Sequence, residues 1–141
     1  DRQRLRKRIP RSGAAAGRRK KRLRARAEWH FGGGPEYCSN CAQLDRPCAK
    51  GEAGCDGRRC PYTEHEPLTD VGWEAWDVIT RCSGQLRLAP DASAVMGLDL
   101  AAAIALATAL GYDVRTLAEL LPAGEAGLVK AFNERLEAPG A

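Results

Sequence analysis

Five of the six cysteines lie between residues 38 and 60, and their spacing is typical of a structural metal site. Cys38 and Cys41 form a Cys-x-x-Cys pair, which lets two thiolates reach one ion while nearby backbone N–H groups support the sulfurs. Tetrahedral Zn²⁺ needs two further ligands, and we expect Cys55 and Cys60 to supply them from across a loop. The cluster therefore predicts a small structural zinc module.

The cysteine pattern leaves several alternatives open. Further ligands are available nearby in Cys48, His30 and His65. One alternative is that the thiols are reduced and bind no metal. Another is that they form disulfides, which require an oxidising compartment and usually an even number of cysteines. The five clustered cysteines are odd in number, and the basic N-terminus lacks the apolar run of a signal peptide. We therefore expect a reducing cytoplasm and metal-bound thiolates.

Residues 1–31 form a strongly basic arm. Up to residue 30 the arm holds 13 Lys and Arg against two acidic residues, a net of +11, which leaves −7 for the rest of a chain with a net charge of +4. Because it has few apolar anchors, the arm is predicted to be disordered. Such a run can neutralise nucleic-acid phosphates; a solvated tail, or a wrongly assigned start of the chain, is the alternative. The residues expected to contact phosphates are Arg18, Arg19, Lys20, Lys21 and Arg22.

Residues 32–67 are predicted to form an irregular, zinc-knuckle-like module. Its first boundary is the Gly-Gly-Gly-Pro run that begins at Gly32, which ends any preceding helix. Three further glycines and two prolines argue against long regular elements, so a metal must supply the cohesion that the module's core lacks. These residues are Gly51, Gly54, Gly57, Pro47 and Pro61.

Residues 68–141 are predicted to form a compact bundle of three to four helices, which makes the protein mainly α. Asp70 is placed to cap the first helix, which is expected to run to about Leu86. Apolar residues recur along it at a spacing of three and give it a face for the core. They are Trp73, Trp76, Ile79 and Cys82. We interpret the tryptophans as core anchors, with an exposed docking surface as the alternative.

The remaining helices are separated by turn and cap signals. Residues 86–97 are expected to be an irregular connection, after which Asp99 caps a second helix that Gly111 ends. That helix is apolar on most sides, which predicts a place in the centre of the bundle. Asp113 is predicted to cap a third helix, and Pro122 to begin a fourth. The inward residues expected of these last two helices are Leu117, Leu120, Leu121, Leu128, Val129, Phe132 and Leu136.

No segment predicts an active site or a membrane span. The two histidines, His30 and His65, flank the cysteines, and no Gly-rich loop leads from a strand into a helix. A catalytic zinc site keeps one position open and often uses histidines or carboxylates, whereas an all-Cys set is typical of a closed structural site. The longest apolar stretch, residues 98–110, falls short of the roughly 20 residues that cross a bilayer. We expect a protein that is neither an enzyme nor membrane-bound.

Two stretches of the helical region resemble a known group of proteins. Residues 73–87 are WEAWDVITRCSGQLR and residues 96–103 are MGLDLAAA. The shared pattern is an Ala-Trp-Asp opening, a Cys and a Gln-Leu-Arg in the same helix, and a Gly-Leu-Asp helix start. It is similar to that of small proteins encoded in the tail modules of tailed bacteriophages and prophages, beside the tape-measure gene. Several members carry a Cys-rich segment that ends in Cys-Pro, as at Cys60, and the resemblance covers about residues 38–137.

The resemblance implies a chaperone-like function in tail assembly, in the cytoplasm of a bacterial host. The protein would hold the tape-measure protein or another tail subunit by offering an apolar groove to its helical segments. The candidate contact residues are Trp73, Trp76 and Leu86. The competing interpretation is a zinc-knuckle nucleic-acid-binding protein that uses the basic arm, and a third is a structural subunit that stays in the tail. Monomeric and dimeric bundles are both compatible with these patterns.

Overall fold

The computed structural model describes residues 12–42 and 60–138, and within them the protein is mainly α-helical, as predicted. In chain order the elements are α1 (Ser12–Phe31), α2 (Gly34–Ala42), α3 (Pro61–Glu64), α4 (Asp70–Arg81), β1 (Leu86–Leu88), β2 (Val95–Leu98), α5 (Leu100–Ala109) and α6 (Val114–Glu137). Among the helices described here, none is long and apolar enough to cross a membrane. The first eleven residues of the predicted arm, and the middle of the predicted zinc module, lie outside the described residues.

Helix α6 forms the centre of the fold. Asp113 caps its N-terminus, as predicted, because the carboxylate accepts hydrogen bonds from the backbone N–H groups of Arg115 and Thr116. The helix contacts α1, α4, α5 and β2. Its buried residues are Leu117, Leu120, Leu121, Gly124, Gly127, Leu128 and Ala131. A helix with neighbours on several sides needs a wide buried surface, which α6 provides.

One continuous helix spans the region where the sequence predicts two. Pro122 lies inside α6 instead of starting a fourth helix. Proline removes one backbone hydrogen bond, but its ring is exposed here, while Leu121 before it and Leu128 after it are buried. Core packing therefore carries the helix through the proline. The predicted inward stripe also ends early, because Leu136 is 59% exposed.

The prediction of a disordered arm is wrong for residues 12–31, which form α1 and pack along α6. Leu23, Ala27 and Phe31 are at most 9% exposed and belong to the main core. Residues four apart lie on one face of a helix, so three apolar side chains give α1 a buried face despite its charge. The core therefore continues across the predicted boundary at residue 32.

Two glycines of α6 let its neighbours approach closely. A Cβ atom at Gly127 would collide with the backbone carbonyl of Arg24 in α1. A Cβ atom at Gly124 would collide with the side chain of Ile79 in α4. The contact at Gly127 is with backbone, so the absence of a side chain there sets how near α1 lies to α6, whereas at Gly124 the flexible end of Ile79 fills the space.

Helix α4 is shorter than predicted. Thr69 is its N-cap, with a hydroxyl that accepts a hydrogen bond from the Gly72 N–H, so Asp70 is the first helical residue instead of the cap. The helix ends at Arg81, whereas the sequence predicts that it reaches Leu86. The chain then forms the antiparallel hairpin β1–β2 in place of the expected irregular connection.

Side chains of α6 cover the outer edge of this hairpin. Asn133 accepts a hydrogen bond from the Val95 N–H at 2.8 Å and donates one to the Val95 carbonyl at 3.0 Å. Glu125 accepts a hydrogen bond from the Leu98 N–H at 2.9 Å. Because unpaired edge groups are costly when buried, these side chains act as a substitute for a third strand.

Helix α5 lies at the edge of the fold, and the prediction that it occupies the centre is wrong. Asp99 caps it by accepting a hydrogen bond from the Ala102 N–H, and Gly111, with a φ of 75°, follows its C-terminus; both features are as predicted. Only Ala103 and Ala107 of this helix are buried. Its small inward residues allow a close approach to α6, but apolar composition alone does not place a helix in the centre.

Candidate functional site

Helix α1 carries a basic face beside the face that packs on α6. Its residues recur at spacings of three and four, which places them along one side of the helix. They are Ala15, Arg18, Arg19, Arg22 and Ala25, with Lys21 at the margin. From Ala15 to Ala25 this face extends about 15 Å, at 1.5 Å per residue. Four of the five predicted phosphate-contacting residues therefore lie together.

An open groove of about 690 Å³ runs between the basic face and the segment that links α3 to α4. The second wall of this groove consists of Glu64, His65, Leu68 and Thr69. Leu68 is 75% exposed, more than any other large apolar side chain in the described part of the chain. The volume falls within the range of about 300–1,000 Å³ that is usual for ligand pockets. We refer to this feature as the α1–α4 groove.

Arg22 ties the two walls of the α1–α4 groove together. Its Nη1 atom donates hydrogen bonds to the backbone carbonyls of Glu64, at 2.7 Å, and Glu66, at 2.9 Å. The last carbonyls of a helix lack intrahelical partners and favour a nearby cation, and Glu64 is the last residue of α3. Arg22 therefore fixes the position of the second wall as well as contributing charge.

A smaller groove of about 480 Å³ lies on the other side of α1, next to α6. Its charged lining residues are Arg19, Lys20, Arg115 and Glu119. Lys20 and Glu119 form an ion pair at 3.9 Å, and both side chains are exposed. An exposed pair of this kind contributes at most about 1 kcal/mol. Lys20 thus faces α6, and Arg19 borders both grooves.

The basic side chains of α1 are largely without carboxylate partners among the residues that the structure describes. Lys20 is the member of α1 with an ion pair. Outside α1, four of the five described cations are paired, with Arg115 as the exception. The paired cations are Arg81, Arg87, Lys130 and Arg135. Positive charge is therefore concentrated on one helix and left uncompensated within the described fold.

Arg26 of α1 is buried in a cluster of aromatic rings. It is 3% exposed, and its guanidinium carbon lies 4.7 Å from the ring centre of Tyr62, 4.9 Å from Trp76 and 5.6 Å from Trp73. Its Nη1 atom donates a hydrogen bond to the Tyr62 carbonyl at 3.1 Å. Ring faces attract cations, so the cluster compensates part of the cost of burying the charge. It joins α1, α3 and α4 at the Ala25 end of the α1–α4 groove.

His30 borders the same cluster. Its ring lies 5.0 Å from Trp76 and 4.9 Å from Phe31, both in edge-on contact. Burial lowers the pKa of His30 below its ordinary value, and the charge of Arg26 lowers it further, while Glu36 opposes both effects. Burial and the charge of Arg26 favour the neutral imidazole, whereas Glu36 favours the protonated form; the ring itself is partly buried among aromatic rings.

The three predicted partner-contacting residues differ in exposure. Trp73 is 39% exposed and lies on α4 one turn beyond Thr69, which is a lining residue of the α1–α4 groove; Trp73 itself is not part of that lining. Trp76 is 7% exposed and is a core residue. Leu86, on β1, packs partly buried against the core. Trp73 is therefore the member of the three that a partner can reach most easily.

The predicted zinc ligands lie only partly within the described residues. Cys38 and Cys41 are three residues apart on α2 and share one face of that helix. Cys60 is buried at the N-cap position of α3. Cys55, the fourth predicted ligand, and the reserve ligand Cys48 lie outside the described residues. Within residues 12–42 and 60–138, no three His, Cys, Asp or Glu side chains form a group that could hold a metal ion.

Trp29 links the two helices that carry these cysteines. Its ring makes edge-on contacts with Tyr37 of α2, at 6.5 Å between ring centres, and with Tyr62 of α3, at 6.1 Å. Tyr37 immediately precedes Cys38, and Tyr62 follows Cys60 by two residues. Both cysteine-bearing helices are thus held against the same tryptophan of α1.

Cys82, by contrast, is a core residue, as predicted. It is 1% exposed, and burial raises the pKa of its thiol.

Two residues of functional interest, Arg26 and Leu68, do not stand out in the sequence. The sequence feature that could have indicated a buried Arg26 is its position, one turn after Arg22 and one residue before the buried Ala27. Within a run of basic residues, however, nothing in the sequence separates a buried arginine from an exposed one.

Comparison with known proteins adds one match. Residues 88–141 are similar to a family of unknown function (DUF7697). The matched region contains most of the β1–β2 hairpin, α5 and α6, and it leaves out α1 and the α1–α4 groove. No curated protein and no solved structure matches the chain.

Proposed function

We propose that this protein is a non-enzymatic assembly factor of bacteriophage or prophage tails, which binds the tape-measure protein or another tail subunit in the manner of a chaperone. The resemblance of residues 73–87 and 96–103 suggests the biological setting, in the cytoplasm of a bacterial host. The structural observation that carries the proposal is the α1–α4 groove, which is open, partly apolar and lined by the exposed Leu68. The exposed Trp73 lies one helical turn beyond the lining residue Thr69.

A groove between two helices is suited to the apolar side of a third helix. Such recognition uses anchor residues at helical spacing that insert between the walls. Here one wall is α1 and the other leads from Leu68 into α4, where Trp73 offers a large ring for contact. The Arg26 guanidinium lies over the face of that ring, 5.6 Å from its centre. A partner therefore meets a largely preformed surface, which reduces the entropic cost of binding.

A structural zinc ion held by Cys38, Cys41, Cys55 and Cys60 is part of the proposal. The shared face of Cys38 and Cys41 on α2 suits two thiolates that meet one ion. Trp29 contacts both α2 and α3, so the segments that carry this pair and Cys60 pack against the same tryptophan, although the three thiols do not form a metal-binding group within the described residues. The ion would then fix the link between α2 and α3, and with it the wall of the groove.

Co-expression of the full chain with the tape-measure protein and with each tail subunit encoded beside it tests the proposal. We expect a stoichiometric complex with one of these proteins, which weakens when Trp73→Ala or Leu68→Ser is introduced. Leu136→Ser is the matched control, because Leu136 is exposed on the last turns of α6, away from the groove. A chain that forms no complex with any tail protein contradicts the proposal.

Nucleic-acid binding is the second candidate function, and the uncompensated charge of α1 is the observation that favours it. Deleting residues 1–31 is not a clean test, because α1 contributes Leu23, Ala27 and Phe31 to the core. Charge reversal at Arg18 and Lys21 preserves the core and removes phosphate affinity. Salt-dependent binding of single-stranded or duplex DNA that these substitutions abolish, without any tail-protein complex, would favour this candidate.

A further inference from the structure

The charges that surround the α1–α4 groove are unbalanced. Arg18, Arg19 and Lys21 border it without a carboxylate partner among the described residues, and Glu64 is the acidic residue in its lining. Elsewhere in the described fold, basic side chains are mostly paired, including Arg87 with Glu125 and Lys130 with Glu28. The groove is therefore a positively charged site on a fold that otherwise balances its charges locally.

The groove also offers apolar surface, which a purely phosphate-binding site does not need. Leu68 projects at one wall with 75% of its surface exposed, and Ala15 and Ala25 lie along the other. A sugar-phosphate backbone has no aliphatic side chains with which to cover a leucine. An amphipathic helix has such side chains on one face and can carry carboxylates along the edge of that face.

The dimensions of the groove match a short helix. The basic face extends about 15 Å from Ala15 to Ala25, which equals about ten residues or three turns of a second helix lying alongside. Its cations recur at spacings of three and four, so acidic residues at the same spacings on an occupant meet them in register. Arg22 is fixed by two carbonyls of the second wall, so the groove does not need to assemble on binding.

We infer that the α1–α4 groove binds an acidic, amphipathic helical segment of a partner protein. The carboxylates of that segment pair with Arg18, Arg19 and Lys21, and its apolar residues cover Leu68. This inference rests on the proposed function and defines the chemical character of the segment that the groove takes. The basic run of α1 is then a protein-recognition surface, and its charge selects a partner by complementarity.

Synthetic peptides test the inference directly with the full chain. The probe is a labelled helical peptide of about 15 residues, with glutamates at helical spacing beside a leucine stripe. Its controls are the same peptide with glutamine in place of every glutamate, and a single-stranded DNA of about 15 nucleotides. We expect fluorescence anisotropy at about 50 mM salt to give at least tenfold tighter binding of the acidic peptide than of the glutamine peptide.

Two double variants that change the net charge equally show whether the peptide binds in the groove. Arg18→Glu/Lys21→Glu should weaken the acidic peptide about tenfold or more, because two favourable pairs become repulsive. Arg24→Glu/Arg115→Glu changes the net charge equally but leaves the groove lining intact, and it should retain most of the affinity. Equal affinity for the acidic and glutamine peptides overturns the inference, as does equal weakening by the two double variants. DNA binding stronger than acidic-peptide binding also overturns it.

The same variants separate this inference from the proposed function. A tape-measure or tail-subunit complex that persists unchanged in Arg18→Glu/Lys21→Glu supports the proposed function and overturns the inference. Tight, groove-dependent binding of the acidic peptide, without a complex with any tail protein, supports the inference and contradicts the tail-assembly function.

Discussion

Gly127 of α6 faces the backbone carbonyl of Arg24 in α1 with no room for a side chain between them. The contact joins the two longest helices of the described fold, and backbone atoms cannot swing away as a flexible side chain can. The short distance between α1 and α6 therefore depends on the absence of a Cβ atom at position 127.

Gly127→Ala should destabilise the protein by about 1–3 kcal/mol, because α1 must move away from α6 to admit the methyl group. Gly17→Ala is the matched control: a methyl group at Gly17, in α1, would meet no atom within 4 Å, so the change should stabilise by up to about 1 kcal/mol. Urea unfolding of both variants measures the difference. A Gly127→Ala protein as stable as the parent would contradict the close approach.

Arg26→Ala should cost about 2–4 kcal/mol, because it empties a space lined by Tyr62, Trp73 and Trp76. Arg26→Met fills most of that space without the charge and should lose less than half as much. Thermal unfolding, followed by tryptophan fluorescence, compares the two variants. If the methionine variant were as unstable as the alanine variant, the charge and its hydrogen bond to Tyr62 would outweigh packing.

Asn133→Ala should release the edge of the hairpin, because both hydrogen bonds to the Val95 backbone disappear. We expect a loss of about 1–3 kcal/mol and much faster hydrogen exchange at the Val95 amide. Asp91→Ala, which removes contacts to Ser93 at the tip of the same hairpin, should leave the Val95 amide protected. Unchanged exchange in Asn133→Ala would show that the edge is covered by other means.

Asp77 should confer acid-sensitive stability. The Tyr112 hydroxyl, at 2.7 Å, and then Arg81, at 2.9 Å, hold its pKa below the ordinary value. A carboxyl with a depressed folded pKa stabilises the protein fully above its unfolded pKa of about 3.9, and this stabilisation is lost as the pH falls through the folded pKa. Tyr112→Phe should raise the pKa of Asp77 in a carboxyl NMR titration.

The Asp91 carboxyl is an internal reference in that titration. Hydrogen bonds from Ser93 lower its pKa independently of Tyr112, so its titration should be the same in both proteins. If the Asp77 pKa did not change in Tyr112→Phe, the hydroxyl contact would not be the main cause of its depression.

The full chain, purified in reducing buffer, should contain one zinc ion per molecule. Cys41→Ser should lower the zinc content, because it removes one thiolate from the Cys38–Cys41 pair. Cys82→Ala is the control, since Cys82 is buried in the core and is not a predicted ligand. Elemental analysis together with a free-thiol assay gives the result. A folded protein without metal and with every thiol reduced would contradict the zinc module.

Capping residues predict where a helix begins or ends more reliably than the composition of a helix predicts where it packs in the fold. Asp99 and Asp113 cap their helices, and Gly111 follows the end of one, because a cap depends only on residues within a few positions. Pro122 is also a local signal, yet it misleads, because the buried leucines around it favour a continuous helix more than one lost hydrogen bond opposes it.

The long-range features could not be predicted from the sequence. Leu23, Ala27 and Phe31 are spaced for a helix face, but charge dominates the composition of α1, and its burial depends on glycines about a hundred residues away. The strands β1 and β2 are too short to show the alternation of polar and apolar residues that predicts a strand, and side chains of α6 cover the edge of the hairpin. The α1–α4 groove could not be predicted for the same reason, because its two walls are distant in the sequence and come together only on folding.

The pairing of α1 with α6 has a consequence for folding kinetics. Glu28 and Lys130, which join the two helices, are 102 residues apart in the chain. Contacts across so long a loop carry a closure entropy that must be offset before the native packing forms, and they slow folding relative to local helical hairpins. During translation the apolar stripe of α1 therefore lacks its main packing partner until the ribosome has made α6.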